Sequence, residues 1–78
     1  MELRDLIMLS RKRSKRSQGE IARQLETNRA TVSCWETGHR LPSLISFARL
    51  CKVLNWDDET IFDILDELGK LSEDTEDV

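Results

Sequence analysis

The sequence predicts an all-α fold, five short helices packed compactly around one core. Three observations point there. Apolar residues from Leu3 to Leu68 recur at intervals of three and four, the period of a helix with one buried face. Residues that cap or stop helices stand between the periodic stretches, among them Ser17, Asn28, Gly38, Asn55 and Gly69. At 78 residues the chain makes one domain, and roughly 60% of its unfolded surface can be buried at that size.

Leu3, Leu6, Ile7 and Ser10, with Leu9 alongside, place a first helix over residues 2 to 13, ending in a basic turn that suits the negative end of the helix dipole. Ser17 and Glu20 have capping-box spacing and open a second helix over 18 to 25, with Ile21, Ala22 and Leu25 inward. That helix has only two turns, so tertiary packing must hold it. Asn28 caps a third helix from Arg29 to Glu36, with Val32 and Trp35 inward and Gly38 as the stop. Pro42-Ser43 forms a turn into a fourth helix, whose periodic residues are Leu44, Phe47, Ala48, Cys51 and Leu54. Asn55 suits a left-handed C-cap, and Trp56 closes onto the core. Asp57 or Asp58 starts a fifth helix with Ile61, Ile64, Leu65 and Leu68 apolar and Phe62 beside them, ending at Gly69. The domain then spans 1 to 69, and 70 to 78 reads as an acidic, disordered tail.

Net charge is -3, yet it is divided unevenly. Residues 1 to 40 hold nine Lys or Arg against five Asp or Glu, and residues 41 to 78 hold three against ten. Arg11, Lys12, Arg13, Lys15 and Arg16 fall within six positions, a run that reads either as a phosphate-facing patch or as a solvated face. Cys34 and Cys51 lie 17 apart with no CxxC and only His39 for company, which is neither a disulfide framework nor a zinc site. His39 has no nucleophile near it in sequence, so no catalyst, metal or cofactor is expected and the chain is not read as an enzyme. The apolar runs are too short to span a membrane, and Glu2, Arg4 and Asp5 stand where a secretory signal needs apolar residues. The expected location is the cytoplasm.

The functional content lies in the second and third helices. They are two short helices about three residues apart, the second with an exposed polar face, and such a unit braces one helix on a DNA backbone while the other enters the groove. Ala22 is the small residue such a crossing needs. The residues that carry a closer likeness are Ser17-Gln18-x-Glu20-Ile21-Ala22, Thr31-Val32-Ser33-x-Trp35-Glu36-x-Gly38, Pro42-Ser43, and Leu50-x-x-x-Leu54-Asn55-Trp56. Over residues 3 to 65 the chain resembles the Cro/C1-type, or xenobiotic-response-element, helix-turn-helix domains, which are lambda-repressor-like.

The resemblance implies double-stranded DNA as partner, read in the major groove. It places base-reading positions at Arg29, Ala30 and Cys34, with Asn28 and Ser33 close enough to assist. Arg29 can pair with guanine O6 and N7, or bind a phosphate or Glu26 instead; Ala30 can touch a thymine methyl. Cys34 reads as a small groove contact, an inert surface residue or a redox-sensitive group. Backbone contact and helix positioning are implied for Gln18, Ser17, Thr31, Thr37, His39, Arg40 and Arg11, with Gln18 packing near the recognition helix or remaining an ordinary surface glutamine. Arg11 and Glu36 stand where the family has an ion pair; two solvated charges are the alternative. Cys51 reads as a small core residue.

Three residues depart from the family pattern. Glu26 occupies a turn position that often holds glycine, so either a strained φ or a slightly different turn is expected there. Arg16 replaces an apolar residue, its stem covering the core while its charge stays wet. Ser10 replaces a leucine, for which Leu6 and Leu9 would shift.

One short recognition helix reads few base pairs, so a homodimer on a palindromic operator is expected, weak without DNA. Trp56, Ile61, Phe62, Leu65 and Leu68 offer the apolar surface for it, with core burial of Phe62 or Leu65 the competing reading. The implied function is transcriptional regulation by promoter occupancy, with RNA polymerase or a cognate toxin as further partners. The alternative is a protein-binding adaptor or antitoxin-like module on the same fold.

Overall fold

A computed structural model describes residues 1–73, and these form α1 (Leu3–Arg13), α2 (Gln18–Gln24), α3 (Arg29–Thr37), α4 (Leu44–Val53) and α5 (Asp58–Glu73), with no strand among them. The predicted caps are in place. Ser17 Oγ accepts from Glu20 N–H at 3.0 Å while Glu20 Oε1 accepts from Ser17 N–H at 2.7 Å, closing the capping box. Asn28 Oδ1 caps α3 through Thr31 N–H, Ser43 Oγ caps α4 through Ser46 N–H, and Asp57, rather than Asp58, takes Thr60 N–H at the start of α5.

All four connections between helices close in the same way. In each, an N–H reaches back five residues: Arg16 to Arg11, Thr27 to Ala22, His39 to Cys34 and Trp56 to Cys51. The residue before each donor is left-handed, Lys15 (φ 60), Glu26 (φ 58), Gly38 (φ 82) and Asn55 (φ 57), as a Schellman-type cap requires. Glycine occupies only one of the four, so Lys15 and Glu26 each carry a conformational cost of roughly 1–2 kcal/mol that the packed turns must offset. At Gly38 an added Cβ would also stand 3.0 Å from Arg4 Nη1 and 3.1 Å from Arg4 Cδ. At Gly69, inside α5, a Cβ would meet nothing within 4 Å. The two glycines should therefore respond with opposite signs. Gly38→Ala is expected to cost about 1 kcal/mol and lower Tm by roughly 4–8 °C, whereas Gly69→Ala should raise stability by about 0.5–1 kcal/mol. Thermal melts of the two variants beside the parent chain decide this; destabilisation by Gly69→Ala would mean its position is packed.

The core joins all five helices: Leu3 and Ile7 from α1, Ile21 and Ala22 from α2, Val32 and Trp35 from α3, Phe47 and Leu50 from α4, Ile64 from α5, with Leu25 and Leu54 just past their helix ends. Several expectations are corrected. Leu44 and Ala48 belong to no buried stripe; both are exposed, Leu44 at 81%, and the inward residues of α4 are Phe47, Leu50 and partly Cys51. Helix α5 does not stop at Gly69 but continues to Glu73, since no left-handed turn follows that glycine and Asp66 and Lys70 pair across it at 3.6 Å. The remainder of the acidic tail, residues 74–78, lies outside the described residues.

Arg16 is half-buried with part of its guanidinium exposed, as expected, and the group is also held by fixed contacts. Its guanidinium donates to Ser14 Oγ at 2.9 Å, Gln24 Oε1 at 2.6 Å and the Val53 carbonyl at 2.9 Å, tying the ends of α1, α2 and α4. Beside Ser10, Leu6 packs against the core but Leu9 is exposed. The Ser10 hydroxyl accepts from Trp56 Nε1 at 2.9 Å, so a polar residue serves the one polar atom of the indole. The Trp56 ring meets Phe47 with centroids 6.1 Å apart.

Candidate nucleic-acid interface

Helices α2 and α3 pack on each other, and α1 backs α3. With Val32 and Trp35 turned into the core, the helical period sends Ala30, Ser33, Cys34 and Thr37 to the outer side of α3, with Arg29 at its edge toward α2. Asn28, Arg29, Ala30 and Thr37 are exposed, while Ser33 and Cys34 are half-buried. The outer face is therefore low and short-chained, and Arg29 is the only cation on the helix.

A chain of polar contacts runs behind this face. Arg11 donates through Nε to Glu36 Oε2 at 2.7 Å and through Nη2 to Oε1 at 3.1 Å. Arg11 Nη1 also donates to the Arg16 carbonyl at 3.0 Å. The pair is largely shielded, with side-chain exposures of 12% for Arg11 and 5% for Glu36. Gln18 Nε2 donates to Glu36 Oε1 at 3.0 Å, which turns its Oε1 outward, where Arg29 Nε lies 3.5 Å away. Burial by itself would raise the Glu36 carboxyl, but the bonds from Arg11 and Gln18 outweigh it and hold the group below the usual carboxylate range. The Glu36 bond raises Arg11 further.

The remaining positions named from sequence are distributed around this centre. Asn28 Oδ1 is committed to the cap and also accepts from Thr31 Oγ1 at 3.1 Å. At the other end of α3, the Thr37 hydroxyl lies 3.3 Å from the Cys34 carbonyl and 2.8 Å from His39 Nδ1, tying the loop that carries Arg40 to the helix. Arg11 is consumed by Glu36 and the Arg16 carbonyl, so it acts behind the surface. Both cysteines are free; burial pushes the Cys51 thiol up, which makes it a poor nucleophile. The Gln18 to Glu36 bond is the feature that the spacing of residues did not announce.

A family model for the helix-turn-helix domain matches residues 2–61, reaching from the start of α1 into α5. The chain belongs to the helix-turn-helix domain family. No curated protein and no solved structure matches it. Helix-turn-helix domains bind DNA with the second helix of the unit, and in this chain that helix is α3, braced by α2. Among the described residues no helix is long and apolar enough to cross a membrane.

The five α5-side residues expected at a dimer surface separate into two groups. Trp56, Ile61 and Leu68 are partly buried against the core, whereas Phe62 (72%) and Leu65 (46%) remain exposed. Leu41, Leu44 and Ile45 form a second exposed apolar group that helical periodicity did not reveal.

Proposed function

We propose that this chain is a Cro/C1-type transcriptional regulator that places α3 in the major groove of a specific site and acts there as a homodimer. The observation that carries the reading is the outer edge of α3: an exposed Arg29, oriented by Gln18, beside a low face of Ala30, Ser33 and Cys34. An arginine fork is suited to guanine, and short neighbours allow the helix to seat deeply enough for that fork to reach a base edge. Thr31, together with Thr37, His39 and Arg40, flanks the two ends of the helix where phosphates would pass. Their part is to fix register. The excess of cations over acids within residues 1 to 40 supplies attraction that is independent of sequence. Regulation follows from occupancy: a dimer seated over a promoter excludes RNA polymerase.

The test is selection from a randomised duplex pool with the full chain, followed by footprinting. The expected result is one enriched motif with two-fold symmetry and half-site centres about 34 Å apart. Its affinity should fall linearly on logarithmic axes as salt rises, because each phosphate contact releases counterions. Failure to enrich any motif at low salt would refute the regulator reading and favour the adaptor or antitoxin-like use of the fold.

A further inference from the structure

We propose that a second copy of this chain docks on the surface formed by Leu41, Leu44 and Ile45, and that this contact, not the face of α5, pairs two recognition helices. The inference rests on the dimeric reading above and names its surface. These three residues are 62%, 81% and 67% exposed, and they fall within five positions. Large aliphatic side chains concentrated in this way mark a contact surface rather than scattered exposure.

Charge decides which occupant fits. Residues 41–46 read Leu-Pro-Ser-Leu-Ile-Ser and carry no charge, so two copies meet there without repulsion. Helix α5 offers Phe62 and Leu65 among Asp58, Glu59, Asp63, Asp66 and Glu67, with Lys70 the only cation of that helix. Two such faces would set like charges against each other, which disfavours self-pairing. Shape points the same way. Beside Leu41 lies a cleft of about 350 Å³ whose apolar wall includes Trp35, Leu41, Pro42 and Leu68. Glu2, Arg4, Arg40 and Glu67 line the same cleft, two acids and two bases. A neighbouring copy can insert Leu44 or Ile45 there and receive the same in return, as a two-fold contact requires.

Position links the contact to DNA reading. Leu41 lies three residues beyond Gly38, the cap of α3, so pairing through this surface fixes how far apart two α3 helices stand. The contact is small. A patch on the order of 300–600 Å² falls short of the roughly 800 Å² per partner of a stable complex. The chain is therefore monomeric when dilute and pairs when a full operator holds two copies side by side, where effective concentration replaces affinity.

The experiment compares Leu44→Ser/Ile45→Ser with Phe62→Ser/Leu65→Ser, all at exposed positions and all adding no charge. Binding is measured to the full operator and to an isolated half-site, and self-association by sedimentation equilibrium at high protein concentration. The proposal expects the first variant to lose at least tenfold on the full operator, to hold its half-site affinity within twofold, and to lose self-association. The second variant should match the parent chain in all three. Equal losses by the first variant on full and half-sites would show that the patch touches DNA and would overturn the proposal. So would loss of pairing in the Phe62/Leu65 variant alone, or parent-like self-association in the Leu44/Ile45 variant. Should the parent chain bind no duplex, the regulator reading fails, and sedimentation still decides the docking surface.

Discussion

Glu36→Ala should destabilise the domain by about 3–5 kcal/mol, the usual result of stranding one member of a buried ion pair. Alanine at this position leaves the Arg11 guanidinium, 12% exposed, with the Arg16 carbonyl as its remaining hydrogen-bond partner. It also removes the acceptor that fixes Gln18. A domain of this length has roughly 4–12 kcal/mol of total stability, so the loss is a large part of it. A loss of 3 kcal/mol would lower Tm by roughly 12–24 °C. The exposed Arg4–Glu2 pair, 3.2 Å apart, is the internal control, and Glu2→Ala should stay within about 0.5 kcal/mol of the parent. The acid dependence supplies a second readout. The Glu36 carboxyl is held below its ordinary value in the folded chain, so its contribution is fully present above that ordinary value and is lost as pH falls through the depressed one. Urea melts from neutral pH into the acid range should show a shallower loss for Glu36→Ala than for the parent. Some acid slope should remain, because Glu20, lowered by the bond from Ser17, and Asp57, lowered by the bonds from Thr60, titrate in the same sense. An unchanged slope, or a cost below 1 kcal/mol, would mean that the pair is solvated and that Gln18 is held by something else.

The parts of this fold that could be read in advance are those whose chemistry is local. The Ser17–Glu20 box, the Asn28 and Ser43 caps and the left-handed positions at Gly38 and Asn55 each depend on contacts within a few residues, and the structure has them where the spacing put them, whereas the positive φ at Glu26 was expected only from the family pattern. Periodicity also found the inward residues of α2 and α3, which are too short to offer more than one apolar face. On α4 it was right for Phe47, Cys51 and Leu54 and wrong for Leu44 and Ala48, which are exposed, and it passed over Leu50, which is fully buried. Gly69 misled too. A glycine stops a helix when the chain needs a left-handed turn there, as at Gly38, and not because of its composition alone. The contacts of Arg16 with Val53 and of Ser10 with Trp56 join residues 37 and 46 apart, and nothing in either neighbourhood encodes them. Arg11 and Glu36, 25 apart, were reached only through family likeness, and the attachment of Gln18 to that pair emerged only with three helices in place.

Removing the Arg29 side chain should cost about 1–3 kcal/mol of discrimination at a single base pair while leaving the rest of the recognised motif intact. The argument is geometric. Glu36 takes the amide nitrogen of Gln18, so the amide oxygen faces Arg29 and lies 3.5 Å from its Nε, a contact that does not use the terminal nitrogens of the guanidinium. A fork held by its inner nitrogen can present two donors in parallel to guanine O6 and N7 at little further entropic cost. Lysine cannot imitate this, since a single ammonium has no second donor in a fixed plane. Arg29→Lys should therefore retain most of the salt dependence and lose most of the base preference. Arg29→Ala should lose both the preference and part of the salt slope. Arg40→Ala, in the loop after α3, provides the contrast: affinity should fall by a similar factor for every sequence, and the slope by about one contact. Competition binding on operators permuted at each position separates the cases. A preference that survives Arg29→Ala unchanged would assign the base reading to the low face of Ala30, Ser33 and Cys34, and would leave Arg29 as a phosphate contact held in register by Gln18.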